Sequence, residues 1–462
     1  MPTATASSRR AAGRWSSTTM FVLATGGAAI GFNNFWQFPG LVAGQGGAAF
    51  LILYVFGLLI IGLPLMLAQI AMGRRAHQSP VHGFMRLAAV HRADPNWFWL
   101  GWVCVVSSTL ILASLSVMAG WAMAYFLRAA SGTLKGLTAD ALGSVFTQLV
   151  NDPEKQLFWY TFFIGLTVAV SAGGLRGGIE RFVRWATPLV LVLLVGLLVY
   201  AGVVGDLPGA LGKVLAPDFT RLSAGSLQQI LAHVFFSLSL GVGFVFCYSA
   251  YMPDTVLPSR AALGVVAIDA GVSVFAAIAI LAILAGGEVE AANGPALFFQ
   301  ALPLAFDHLP AGRLAMSTFF IMIVLVALLA AVAMLEPLTA WLVERFEYSR
   351  VRAALISGGV LWVLGLSMML SFNAWQFSFP FFNEVRKFGL FDAAQLLTTQ
   401  VLLPLTGLLM AVFAGWIMRP DEMRNTLALR SPCSFDVWLW LTRLFVPLYL
   451  LVLLFSLPGL LA

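Results

Sequence analysis

Eleven long apolar runs are the feature that most constrains how this chain can fold. A helix needs roughly 20 mostly apolar residues to cross a bilayer, and these runs are far too long for the strands of a membrane barrel. The sequence therefore predicts an all-α polytopic membrane protein with eleven transmembrane helices. The predicted spans cover about 20–39, 46–72, 98–128, 157–174, 182–204, 228–250, 262–286, 314–343, 353–372, 395–418 and 436–459.

The composition excludes several other classes of protein. Of the 462 residues, 60% are hydrophobic and only 10% are charged, whereas a soluble domain carries about 25% charged residues. Too few polar side chains are present to cover a water-facing surface, which excludes a soluble enzyme, a disordered chain and a nucleic-acid binder. Cys104, Cys247 and Cys433 are far apart and form no Cys-x-x-Cys motif, so neither a disulfide framework nor a zinc site is indicated.

The Lys and Arg residues indicate the orientation of the chain. With the N-terminus inside the cell, seventeen of them fall in inner segments and eight in outer segments, and Arg443 lies inside the last span. Because basic residues collect on the cytoplasmic side, we expect a cytoplasmic N-terminus and a C-terminus outside, in a bacterial inner membrane. The first apolar run is not a short apolar segment followed by a cleavage site, so we expect no signal peptide.

The first and sixth runs carry glycines and small polar residues at mid-membrane. The first reads GGAAIGFNNFWQFPG from Gly26 to Gly40, and the sixth reads HVFFSLSLGVGFVFCY from His233 to Tyr248. Glycine lets the backbone leave the helix, and the freed N–H and C=O groups then need a ligand or water. Close packing through small residues is the alternative for either run alone. Together, five spans apart, they predict the broken helices of a transporter's binding site.

Several motifs, in order along most of the chain, resemble the bacterial neurotransmitter:sodium symporter family. GAAIGFNNFWQFP is similar to the family's first-helix pattern GxAxGxGNxxRFP. GGAAFLILY and GLPLMLAQIAMGR are similar to its second helix, GGIERFVRWATP to the start of its fifth, and PDF followed by AHVFFSLSLGVG to its broken sixth. The resemblance implies a five-plus-five inverted repeat, a midplane substrate site and alternating access. The corresponding division is a cytoplasmic segment 1–19, a first repeat 20–204, an outer loop with the second repeat 205–418, and an inner loop with the eleventh span 419–462.

The resemblance implies a first sodium site at Ala29, through its carbonyl, and at Asn34, Ser237 and Asp269. Asp269 stands where the family has an Asn. It is the one acidic residue deep in a predicted span, and a buried carboxylate in a membrane is a functional hypothesis by default. A structural Asp that is hydrogen-bonded to its neighbours is the alternative.

The second sodium site of the family would use carbonyls of Gly27, Ile30 and Val326 together with two hydroxyls. Leu329 and Ala330 stand at the hydroxyl positions. Neither side chain can coordinate sodium, so we expect this site to be broken.

The family's chloride site maps to five positions, two of which depart from the pattern of neutral donors. These positions are Tyr54, His233, Ser237, Asp269 and Ser273. Our hypothesis is that a His233–Asp269 pair substitutes for chloride and makes transport proton-sensitive. A neutral, hydrogen-bonding core histidine is the alternative.

The resemblance also implies a largely apolar solute pocket between two gates. Leu115 replaces a Tyr that contacts the substrate carboxylate, which argues against an ordinary α-amino acid. The expected pocket residues are Ala29, Gly31, Phe32, Asn33, Ile111, Leu115, Phe236, Ser237, Ser239, Val242 and Met334. The expected gate residues are Gln37 and Gln395 on the outside, Phe236 as the lid, and Tyr251 and Glu344 on the inside.

The sequence thus predicts a secondary active symporter of a small amine-containing or amino-acid-like solute, driven by sodium, a proton or both. The expected partners are the solute, the coupling ion and the lipid bilayer. We expect no enzyme activity, no organic cofactor and no nucleic acid, and chloride is not favoured. A non-transporting solute sensor that keeps the fold is the alternative. The solute and the oligomeric state stay open.

Overall fold

The computed structural model describes residues 13–455, except 254, 291, 293, 373–374, 382–383 and 430. The first part of the predicted cytoplasmic segment (1–12) and the end of the last predicted span (456–459) therefore lie outside the described residues.

Helices make up most of the described chain. In chain order they are α1 (Thr18–Ala29), α2 (Asn33–Trp36), α3 (Phe38–Gly44), α4 (Ala48–Ala76), α5 (Pro80–Val90), α6 (Pro95–Ser131), α7 (Ala139–Asn151), α8 (Pro153–Ala172), α9 (Leu175–Val204), α10 (Leu207–Leu215), α11 (Ala224–Ser237), α12 (Phe244–Ala250), α13 (Pro258–Gly286), α14 (Leu302–His308), α15 (Gly312–Phe346), α16 (Arg350–Leu370), α17 (Leu390–Ile417), α18 (Pro420–Leu427) and α19 (Pro432–Phe455).

Eight of the described helices are long and apolar enough to cross a membrane, judged by length and composition. They are α4, α6, α9, α13, α15, α16, α17 and α19. The other three predicted spans correspond to the interrupted series α1–α3, to α8 and to the interrupted pair α11–α12. The fold is therefore the predicted polytopic helical one with broken first and sixth helices, while the total of eleven spans stays a prediction.

The first interruption follows from where two N–H groups send their hydrogen bonds. α1 stops at Ala29 because Ile30 leaves the helix with ψ of 119°. The N–H of Gly31 then donates to the side-chain oxygen of Asn34 at 3.0 Å, and the N–H of Asn34 donates to the carbonyl of Gly31 at 3.2 Å. In a continuous helix these groups would bond the carbonyls of Gly27 and Ile30. Both carbonyls therefore lack their helical donors.

The second interruption lies between α11, which ends at Ser237, and α12. Ser239, Gly241 and Gly243 all have positive φ, at 49°, 85° and 95°. Gly243 also lies against α6, because a Cβ placed on it would come within 2.5 Å of the Cβ of Cys104. A residue with a side chain would therefore be strained and crowded there, which explains the glycine-rich sequence.

A short hairpin joins α16 to α17 and was not part of the all-α prediction. Strand β1 (Gln376–Phe381) pairs antiparallel with β2 (Glu384–Gly389), with Gln376 opposite Gly389. The sequence of β1, QFSFPF, places aromatic residues at alternating positions, as is typical of a strand. The run is too short to stand out beside the long apolar helices, so the apolar pattern predicts nothing between the spans 353–372 and 395–418.

The second half of the broken sixth helix packs closely on α4. A Cβ placed on Gly73 would lie 2.1 Å from the carbonyl oxygen of Phe246 in α12. The two backbones can approach this closely only because Gly73 has no side chain. On the opposite side of the site, α15 packs along α6.

Candidate ion and solute site

A buried cluster of polar side chains lies where the two interruptions meet. The amide nitrogen of Asn34 donates to Oδ1 of Asp269 at 2.8 Å and to Oγ of Ser273 at 2.8 Å. The hydroxyl of Tyr54 donates to Oδ2 of Asp269 at 3.2 Å. The Ser237 hydroxyl also faces Tyr54 and Asp269. Four residues of the predicted ion sites are therefore gathered around one carboxylate.

The carboxylate of Asp269 has neutral partners only. Its side chain is 0% exposed, and among the described residues no Lys, Arg or His forms an ion pair with it. A buried charge is costly unless an opposite charge or a proton compensates it. The arrangement is therefore suited to hold a small cation beside Asp269.

Two of the predicted first-site residues end interrupted helices, whereas Asp269 lies within the continuous helix α13. Ala29 is the last residue of α1, and Ser237 is the last residue of α11. The oxygen of the Asn34 side chain accepts one hydrogen bond, from Gly31, and an amide oxygen has a second lone pair. Carbonyl, amide, hydroxyl and carboxylate oxygens are thus available at one place, and hard cations prefer oxygen ligands.

Hydrocarbon side chains occupy the two hydroxyl positions of the predicted second site. A Cβ placed on Gly27 would meet Cδ1 of Leu329 at 3.4 Å. Leu329 and Ala330 are 2% and 3% exposed, and Val326 is fully buried on the same helix. The nearby hydroxyl of Thr187 donates to the carbonyl of Leu23 at 3.2 Å. In this contact set the Thr187 hydroxyl on α9 is the oxygen nearest to the Gly27 position, at 2.5 Å from the placed Cβ, whereas the two positions on α15 carry no oxygen.

The structure does not form the predicted His233–Asp269 pair. His233 is 1% exposed, and neither of its ring nitrogens has a hydrogen-bond partner among the described residues. Its ring packs against Phe38, at 5.2 Å between centroids, and against Tyr54, at 5.8 Å. Tyr54 reaches Asp269 instead, because its longer side chain places a hydroxyl beside the carboxylate.

The predicted solute pocket surrounds the interruptions. Ile111 and Leu115 lie one turn apart on α6, and Met334 lies on α15. Phe236 and Ser239, at the second interruption, are partly exposed although they belong to a span. The remaining predicted pocket residues are Ala29, Gly31, Phe32 and Asn33 at the first interruption and Ser237 and Val242 at the second. Asn33 is already engaged, since its side-chain oxygen accepts from Nε1 of Trp36 at 3.0 Å.

Aromatic rings cover the outer side of the pocket. Phe32 contacts Trp36 and Phe298, with ring centroids 5.3 Å and 6.0 Å away. The predicted outer gate residues Gln37 and Gln395 are both exposed, and neither forms a hydrogen bond to the other in the described structure. Phe298 was missed by sequence reasoning, because it lies in the long outer loop where no motif marked it.

The predicted inner gate residues Tyr251 and Glu344 belong to separate networks. The hydroxyl of Tyr251 donates to Glu336 at 2.7 Å, and Arg350 donates to the same carboxylate at 2.8 Å through Nη1 and also through Nη2. Glu344 instead accepts from the N–H of Ser79 at 2.7 Å. Glu336 is thus the carboxylate that contacts Tyr251, and sequence reasoning did not assign it to the site, although a lone acidic residue in an otherwise apolar run marks it.

The start of the described chain is anchored to α12 and α9. Nε1 of Trp15 donates to the carbonyl of Tyr248 at 2.9 Å, and its N–H donates to the carbonyl of Tyr251 at 3.1 Å. Trp15 is only 1% exposed. The N–H of Ser16 donates to Glu180 on α9 at 3.1 Å, so the segment spans from α12 to α9.

Comparisons with known proteins agree with this geometry. A family model described as the sodium:neurotransmitter symporter family matches residues 12–140 and 159–457. The sodium-dependent transporter YhdH of Bacillus subtilis is 29% identical over 97% of this chain and 98% of its own length. The sodium- and chloride-dependent creatine transporter 1 of Oryctolagus cuniculus is 23% identical over 94% of this chain and 75% of its own length.

A solved structure is also similar in fold. The crystal structure of MhsT in complex with L-phenylalanine has a TM-score of 0.84 and 31% sequence identity to this chain, covering 96% of this chain and 99% of MhsT. The fold, the two interruptions and the family match lead to one conclusion: this chain belongs to the sodium:neurotransmitter symporter family.

Proposed function

We propose that this protein is a sodium-coupled symporter in which one sodium ion binds beside Asp269. The ligands are the carbonyl of Ala29 and the side chains of Asn34, Ser237 and Asp269. The observation that carries the proposal is the fully buried Asp269 carboxylate with neutral partners only, at the meeting point of two interrupted helices. A sodium ion would compensate this charge in the loaded carrier.

The second family sodium site does not operate in this proposal. The carbonyls of Gly27 and Ile30 lack their helical donors and are free to bind a cation. The side chain of Leu329, however, lies against Gly27. Sodium loses its hydration shell only where enough oxygens replace it, and two hydroxyls are lacking here. One sodium per transport cycle follows.

The proposed solute is a small, largely apolar amine or amino-acid-like molecule. Leu115, Ile111 and Met334 offer apolar contacts, while polar backbone groups at the second interruption suit an amine. That the similar protein MhsT was crystallised with L-phenylalanine supports an apolar, amine-containing solute here. Leu115 leaves a solute carboxylate without the family's Tyr hydroxyl, and the bound sodium would be its main partner.

The proposed orientation places the Trp15 segment and the Glu336 network on the cytoplasmic side of a bacterial inner membrane. The excess of Lys and Arg on that side supports it. The aromatic cover of Phe32, Trp36 and Phe298 then faces outward.

Uptake into proteoliposomes tests the function. Purified protein should accumulate a labelled apolar amino acid or amine under an inward sodium gradient, and replacing sodium by potassium should abolish accumulation. A pH gradient without sodium separates proton coupling, which the unpaired His233 leaves open, from sodium coupling. Sodium-dependent binding without accumulation would identify a sensor and overturn the proposal.

A further inference from the structure

An arginine interrupts the apolar sequence of α19, away from the ion and solute site. Arg443 lies eleven residues past Pro432, the first residue of α19, which places it about 16 Å along the helix. The helix is long and apolar enough to span a membrane, and the neighbouring side chains of Leu444 and Phe445 are exposed. This side of α19 therefore faces lipid, where an ionisable residue is costly unless a partner compensates its charge.

The charge of Arg443 has no carboxylate partner in the part of the chain that the structure describes. Arg443 takes part in none of the ion pairs formed there. The other charged residue of α19, Asp436, lies about two turns earlier and pairs with Arg424 at 3.1 Å. A guanidinium is always charged at physiological pH, so its compensating anion has to come from outside these residues.

A backbone carbonyl at the inner end of α17 holds the guanidinium in place. Nε of Arg443 donates to the carbonyl of Gly415 at 2.6 Å. This carbonyl belongs to the last turn of α17, where helical donors run out, and Pro420 just beyond has no N–H. The contact is close because a Cβ placed on Gly415 would lie 3.1 Å from Cγ of Arg443. With Nε engaged, the N–H groups of Nη1 and Nη2 are left for a ligand.

An exposed indole ring lies beside the same guanidinium. Cζ of Arg443 is 5.3 Å from the centre of the Trp416 ring, and Nε1 of Trp416 donates to the carbonyl of Arg443 at 3.4 Å. Trp416 is 64% exposed and lies one residue before the end of α17. Exposed Trp side chains at the end of a span are typical of the headgroup level of a bilayer. The ring and the guanidinium therefore lie at that level, on the surface of the molecule.

We propose that Arg443 and Trp416 bind the headgroup phosphate of an anionic phospholipid. The fixed fork of a guanidinium matches the oxygens of a phosphate group, and the uncompensated charge of Arg443 favours a lipid with a net negative charge. The ligand comes from the bilayer, because its acyl chains can lie along the exposed apolar side chains of Leu444 and Phe445. The bound lipid joins the inner ends of α17 and α19, and in the orientation proposed above it belongs to the cytoplasmic leaflet.

The test is native mass spectrometry of the full-length purified protein, which compares retained phosphatidylglycerol with retained phosphatidylethanolamine. Arg443→Gln removes the charge, while the amide N–H of the glutamine can still donate to the carbonyl of Gly415. Arg352→Gln is the matched control, because Arg352 is exposed and also stacks on a ring, with Cζ 4.2 Å from the centre of Tyr348. Equal size-exclusion profiles confirm that the variants fold.

A second pair of variants tests the ring. Trp416→Ala changes an exposed side chain and leaves Arg443 in place, so it decides the question even if Arg443→Gln does not fold. Trp185→Ala is its control, because Trp185 is also exposed but lies on α9. Thermal unfolding of the parent and of Arg443→Gln is measured with inorganic phosphate against sodium chloride at equal ionic strength.

We expect Arg443→Gln to reduce retained phosphatidylglycerol roughly fivefold and Trp416→Ala to reduce it about twofold. Both controls should match the parent, and retention of phosphatidylethanolamine should not change. If neither Arg443→Gln nor Trp416→Ala differs from the parent, or if Arg352→Gln loses as much lipid, the proposal is wrong. Stabilisation of the parent by inorganic phosphate that is lost in Arg443→Gln would assign a soluble anion and also overturn it.

Discussion

Asp269 changes the electrostatics of the ion site at the scale of a single residue. It gives the meeting point of the broken helices a full negative charge, and its neighbours Asn34, Tyr54 and Ser273 are neutral. Sequence reasoning placed Asp269 and Asn34 in one predicted ion site, and the two side chains are in contact in the structure. The sequence could not predict which group lies beside the carboxylate. Side-chain length and helix rotation place the Tyr54 hydroxyl there, and the His233 ring packs against the rings of Phe38 and Tyr54.

Asp269→Asn should weaken sodium coupling. The change removes the charge that attracts the cation while keeping the size of the side chain, so the sodium concentration for half-maximal uptake should rise about tenfold or more. The measurement is solute uptake against external sodium at constant ionic strength. Asp436→Asn, at an exposed site on α19, is the matched control. An unchanged sodium dependence would contradict the proposed ion site.

Restoring two hydroxyls should restore a second sodium ion. In the double variant Leu329→Thr with Ala330→Ser, hydroxyl oxygens replace the hydrocarbon beside Gly27, whose carbonyl lacks its helical donor. The Hill coefficient for sodium should then rise from about 1 toward 2. Leu328→Thr adds a hydroxyl at the neighbouring position of α15 and should leave the coefficient unchanged. A parent protein that already shows two coupled sodium ions would disprove the single-site proposal.

At the scale of elements, the two interruptions determine where the site forms. Paired glycines and small polar residues in corresponding spans predicted both, because glycine is the residue that tolerates positive φ and close backbone contact. The sequence did not predict the hairpin of β1 and β2, whose strands are short, or the start of α17 at Leu390 rather than at 395. Short strands and helix ends depend on contacts with residues distant in the sequence, and a local pattern of apolar residues does not contain those contacts.

Gly243→Ala should destabilise the protein through the second interruption. The alanine would have to keep the φ of 95°, and its Cβ would lie 2.5 Å from the Cβ of Cys104. We therefore expect the free energy of unfolding to fall by about 1–3 kcal/mol. The measurement is the midpoint of thermal unfolding in detergent. Gly271→Ala is the control, since its Cβ meets nothing within 4 Å in α13. Equal midpoints for the two variants would contradict strain at this turn.

At the scale of the whole molecule, an ionic network on Glu336 joins distant segments of the chain. Glu336, 1% exposed, holds together Tyr251 from beyond α12 and Arg350 at the start of α16. These segments come from different parts of the chain, and in the proposed orientation an opening toward the cytoplasm would separate them. Sequence reasoning paired Tyr251 with Glu344, whereas Tyr251 contacts Glu336 in the structure, and both carboxylates lie toward the C-terminal end of α15.

Glu336→Gln should increase access to the buried thiol of Cys247, which is 0% exposed in α12. Loss of the charge leaves Arg350 without its ionic partner and favours the inward-open form, so maleimide labelling should accelerate about tenfold. Labelling is followed by peptide mass spectrometry in a Cys433→Ser background, since Cys433 is exposed. Glu347→Gln, on the exposed inner end, is the control. Slower or equal labelling would show that this network does not hold the inner side shut.

The anchorage of Trp15 has a practical consequence for anyone who handles this carrier. Its indole is buried against α12, the second half of the broken sixth helix. A fluorescent protein or affinity handle fused just ahead of Trp15 would therefore strain this contact. Transport measured with such a fusion should show more solute flux uncoupled from sodium than transport measured with the handle at the opposite terminus.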